Sequence, residues 1–99
     1  MQHPQPNQIY CDARLVGGNR WAIGYCSFNM GINGYKIIRA SDNNAAELEA
    51  IRFAKQCNPE SVVLSDSLNS VTALNDPSVA YVERSLNFAD SYLRSVKVK

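Results

Sequence analysis

Apolar and polar positions along the chain fall into two regimes, and the change between them comes near residue 41. Before it, apolar and aromatic residues form short runs separated by Gly- and Asn-rich breaks. Residues 9–16 (IYCDARLV) read as a strand. Gly17, Gly18 and Asn19 then supply a hairpin signal. Residues 20–29 (RWAIGYCSFN) read as a second strand, with Gly24 as a candidate bulge. The chain turns again over residues 30–34, where Asn33 and Gly34 tolerate positive φ. Residues 35–40 (YKIIRA) complete an antiparallel meander.

Beyond Ala40 the period becomes helical. Ser41 or Asp42 can cap a helix N-terminus. Ala46, Ala50, Phe53, Ala54 and Cys57 then share one apolar face, and Asn58-Pro59 ends the helix. Residues 61–65 (SVVLS) form a continuous apolar run, as expected of a strand buried on both faces and paired in parallel. The intervening helix is long enough for a crossover. Residues 67–74 predict a short helix. Val79, Val82, Leu86, Phe88, Ala89 and Leu93 predict another, from Pro77 or Ser78 to about Ser95. The alternation Val96-Lys97-Val98-Lys99 predicts a fifth strand. The expected fold is α/β, with a mixed five-stranded sheet: strands 1–3 antiparallel, then a parallel crossover, with flanking helices. Residues 1–8 are expected to be a flexible segment and 9–99 a single domain.

Composition changes this picture little. A net charge of +1 gives no global field toward nucleic acid or membrane, so such binding has to be local. The first residues, MQHPQPNQ, lack the apolar stretch of a signal peptide, and no run approaches a transmembrane length, so a cytoplasmic location is expected. Cys11, Cys26 and Cys57 form no CxxC pair, and Cys11 and Cys57 lie among apolar neighbours. They read as small core residues rather than zinc ligands, and the single His, His3, lies in the polar start.

Three carboxylates stand where the core pattern disfavours charge. Asp12 interrupts the first strand. Glu47 aligns with Ile51 and Ala54, at the edge of the apolar helical face. Asp66 follows the buried strand, and ligands collect at such strand ends in α/β sheets. Each alone has a structural explanation: Asp12 facing solvent, Glu47 completing a cap with Ser41 or Asn44, Asp66 capping the next helix. Together they suggest a site for a hard cation such as Mg²⁺ or Mn²⁺, since a cation offsets the mutual repulsion of gathered carboxylates.

The motifs IYCDAR (Asp12), DNNAAELEAI (Glu47) and VVLSDS (Asp66), in this order, resemble those of the RNase H family. The resemblance covers residues 9–99, and its most specific part is the Asn pair followed by ELxAI. It implies a metal-dependent endonuclease that hydrolyses the RNA strand of RNA/DNA hybrids by a two-metal mechanism. Asp12 would bridge two ions. Glu47 would bind one beside the attacked strand, and Asp66 would bind metal and orient the attacking water. Asn43 and Asn44 match asparagines that contact the minor groove, where an amide can both donate to and accept from a 2′-OH.

The chain also departs from the family. Ala13 and Arg14 stand where the family has Gly and Ser, so a backbone approach to substrate is altered, and Arg14 becomes a candidate phosphate contact. With the fifth strand at residues 96–99, the family's final helix, with its fourth Asp, is expected to be missing, and Asp90 falls in the preceding helix. A homodimer or partner protein would then cover the exposed sheet. Three functions remain open: the nuclease, a catalytically weakened module that binds nucleic acid or protein, and an assembly role without nucleic acid.

Overall fold

The computed structural model describes residues 7–27 and 30–97 of the chain. These residues form an α/β fold. Its strands are β1 (Gln8–Gly17), β2 (Arg20–Ser27), β3 (Ile32–Arg39), β4 (Val62–Ser65) and β5 (Val79–Tyr81). Its helices are α1 (Asn43–Cys57), α2 (Leu68–Leu74) and α3 (Phe88–Ser95), with a 3-10 turn at Arg84–Leu86. The sheet order is β3-β2-β1-β4-β5. The first three strands pair antiparallel, whereas β4 pairs parallel to both β1 and β5.

Strand alternation divides β1 between two layers. Ile9 and Cys11 join Ile23, Val63 and Val79 in a core closed by Ala50, Ile51 and Ala54 of α1. Tyr10 belongs to the other face and meets Phe88 of α3 edge-on, with ring centroids 5.1 Å apart. Asp42 caps α1, its carboxylate accepting from the Ala45 N–H at 2.8 Å. Ser67 caps α2.

Gly24 makes no bulge. It pairs in regular register with Asp12 and Tyr35. A Cβ there would stand 2.8 Å from both the Gly34 carbonyl oxygen and Leu93 Cδ2, so the glycine is what lets α3 lie close on β2. The register irregularity falls between Leu15 and Gly17 instead. The second turn also ends earlier than expected, and residues 28 and 29, expected at the end of the second strand, lie outside the described residues. Gly31 takes the positive φ of 63°, and Asn33 and Gly34 already belong to β3.

The C-terminal third departs most from expectation. Residues 77–95 are not one helix: Val79–Tyr81 is the fifth strand, and only Phe88–Ser95 is α-helical. The apolar spacing mimics a helix because a three-residue strand is too short to show period two. Val96 and Lys97 pair with no strand, and 98 and 99 lie outside the described residues. A helix therefore does follow the fifth strand and packs on β1 and β2. The expectation that no helix follows the fifth strand is corrected by α3. At the other end, Asn7 and Gln8 join the sheet: the Val62 N–H donates to the Asn7 carbonyl at 2.7 Å, and Gln8 is in register with Val62. Of the cysteines only Cys11 is fully buried; Cys57, at the end of α1, is exposed. Among the described residues no helix is long and apolar enough to cross a membrane.

Candidate metal centre

The site begins where β1 and β4 stop pairing. Their last partners are Tyr10 and Leu64. Asp12 and Asp66 each lie two residues farther on (12 − 10 and 66 − 64), at equivalent positions past the end of the parallel ladder. β1 is also where the chain reverses direction across the sheet, with β2 and β3 on one side and β4 and β5 on the other. Crevices at such switch points are the usual ligand sites of α/β sheets.

Glu47 enters from the first turns of α1. It is buried, and its Oε1 accepts a hydrogen bond from the Ala13 N–H at 3.0 Å. Its other oxygen, Oε2, is buried with no hydrogen-bond partner among the described residues. One carboxylate oxygen each from Asp12, Glu47 and Asp66 lie within 4.8 Å of one another. Burying a carboxylate and leaving one oxygen bare is costly unless a cation takes the place of the missing donor. Three oxygen donors converging on one point match the preference of Mg²⁺ or Mn²⁺ for carboxylate oxygen.

Proton affinity follows the same geometry. Burial, then the charge of Asp66, pushes the Asp12 carboxyl up to about 7. Burial, then the charge of Asp12, pushes Glu47 up to about 8. Burial also raises the Cys11 thiol, with the nearby carboxylates adding to it, so the residue is a poor nucleophile.

A fourth carboxylate stands beside the three. Asp90, in the first turn of α3, raises Asp12 further through its charge. Its Oδ2 is paired with Arg94 Nε at 3.2 Å. Asp90 is held there by Asn87, the N-cap of α3. The Asn87 side chain accepts from the Ala89 N–H at 3.1 Å and donates to the Cys11 carbonyl at 2.9 Å, tying α3 to the residue before Asp12. Sequence reasoning passed over Asp90 because it put the fifth strand after α3 rather than before it. The signal was present in Val79–Tyr81, a short β-prone run following Pro77.

A cleft of about 290 Å³ opens over the three carboxylates. Asn43, Asn44 and Ala13 line it, as do Ser67, Asn69 and Arg84, which were not singled out from the sequence. Arg14 is exposed on β1 and is not among the lining residues. No protein-family model and no curated protein matches the chain.

Proposed function

We propose that the protein is an RNase H-like endonuclease that uses Mg²⁺ or Mn²⁺ to hydrolyse the RNA strand of RNA/DNA hybrids. The observation that carries this reading is the convergence of Asp12, Glu47 and Asp66 within 4.8 Å, with one Glu47 oxygen buried and bare. The sheet order and a final helix bearing Asp90 are compatible with that family. Divalent ions held there would lower the pKa of a water and offset charge on the leaving oxygen.

In this reading Asp12, which feels the charges of both Asp66 and Asp90, would be a carboxylate that helps hold the divalent ions. Glu47 is anchored through Oε1, and its bare Oε2 would be free to hold a divalent ion. Asp66, less buried than the other two, orients the attacking water. The water oxygen bonds to phosphorus, the bond from phosphorus to the 3′ oxygen breaks, and a proton passes to that oxygen, leaving a 5′-phosphate and a 3′-hydroxyl. Asn43 and Asn44 line the cleft, where an amide can hydrogen-bond a 2′-OH and so select RNA.

The test is cleavage of a labelled RNA/DNA hybrid in Mg²⁺ and in Mn²⁺, with Asp66→Asn beside it. Cleavage that is lost in the variant is expected. No cleavage in either ion by a folded protein would overturn the nuclease and leave a binding module.

A further inference from the structure

Among the described residues one basic side chain lines the cleft. Arg84 lines it together with Asp12, Glu47 and Asp66, and no Lys or other Arg does. Arg84 is exposed, and among the described residues its side chain makes no hydrogen bond and no ion pair. That is unusual for an arginine sharing a cleft with three carboxylates, because such groups attract one another strongly. Its backbone is well tied. The Leu86 N–H donates to the Glu83 carbonyl at 2.9 Å, and the Asn87 N–H donates to the Arg84 carbonyl itself at 3.1 Å. Asn87 in turn grips the Cys11 carbonyl, so the turn carrying Arg84 is joined to the strand carrying Asp12.

We infer that Arg84 is a substrate-binding residue that pairs with a non-bridging oxygen of the phosphodiester lying across the cleft. This rests on the function proposed above and names the group that meets the anionic part of its substrate. The division of labour follows from charge. The carboxylates repel phosphate and need cations between them and it, whereas a free guanidinium can engage phosphate directly. An arginine out of ion-pair reach of the carboxylates leaves room for a group that spans the two. Arg14, the candidate from the sequence, is not among the residues of this cleft.

The experiment compares wild type, Arg84→Ala and Arg84→Lys. Mn²⁺ binding is measured by calorimetry. Binding of a labelled RNA/DNA hybrid is measured by anisotropy in Ca²⁺ over a range of salt, and cleavage is measured in Mg²⁺. Arg84 is exposed, and circular dichroism checks the fold of the variants. Arg84→Ala is expected to bind Mn²⁺ like wild type and to lose about 10- to 100-fold in hybrid affinity, the range for a charge-assisted contact. Its dependence of log affinity on log salt is expected to fall by about one phosphate contact. Arg84→Lys is expected to restore the salt dependence and part of the affinity. A wild type that binds hybrid while Arg84→Ala matches it in affinity and salt slope overturns the inference and leaves the nuclease standing. A wild type that binds Mn²⁺ but no hybrid overturns the proposed function, and this inference with it.

Discussion

Glu47 and Asp12 carry the energetic tension of the site. Their carboxyls titrate at about 8 and about 7, against ordinary values of 4.5 and 3.8. The folded protein therefore holds more protons than the unfolded chain between those values. Stability from these groups is full below the unfolded values and is lost as the pH rises through 7 and 8. A divalent ion must displace the same protons, so its affinity rises over that interval. The metal-free melting temperature is expected to fall between pH 5.5 and pH 8.5 while the increase produced by Mn²⁺ grows; thermal melts at both pH values check this, and curves that do not respond to pH would contradict it. Glu47→Gln removes one of the repelling charges. It is expected to raise the metal-free melting temperature at pH 8.5 by several degrees and to abolish the Mn²⁺ response. At this scale the sequence was informative: a charge within an apolar run stands out. The role of Arg84 was not visible, because an exposed arginine on a turn looks the same whether it faces solvent or a cleft.

Among the elements, α3 brings Asp90 near Asp12, and Gly24 and Asn87 decide where α3 lies. Gly24 leaves the space that Leu93 fills, and Asn87 bonds the start of the helix to β1. Gly24→Ala would press its methyl against the Gly34 carbonyl and Leu93. The expected loss is about 1–3 kcal/mol, typical of an overpacked core, and urea denaturation measures it. A stability equal to wild type would mean that α3 lies farther from β2 than described. Helix α1 and strand β4 were legible because a long amphipathic period and an unbroken apolar run each define their element locally. Strand β5 was not, since three residues become a strand only through the ladder they form with β4. Placing it wrongly hid α3 and its Asp90.

Across the whole molecule, the central strands β1 and β2 pair on both sides, whereas β5 pairs along one side for three residues. Native-state hydrogen exchange is expected to be slowest in β1 and β2 and fastest, within the sheet, in β5. Mn²⁺ should slow exchange together around Asp12, Glu47 and Asp66, because ions held jointly by these carboxylates would couple β1, α1 and the end of β4. Protection confined to one of these segments would argue against a shared ion. The sequence by itself determined the meander, the crossover helix, the buried parallel strand and the three carboxylates, since each is written in the period or composition of a short stretch. Only the tertiary structure decided that the carboxylates meet, that a fourth stands beside them on a helix after the fifth strand, and that Arg84 shares their cleft. Those facts depend on strand register and helix approach between residues far apart along the chain, which no local pattern encodes.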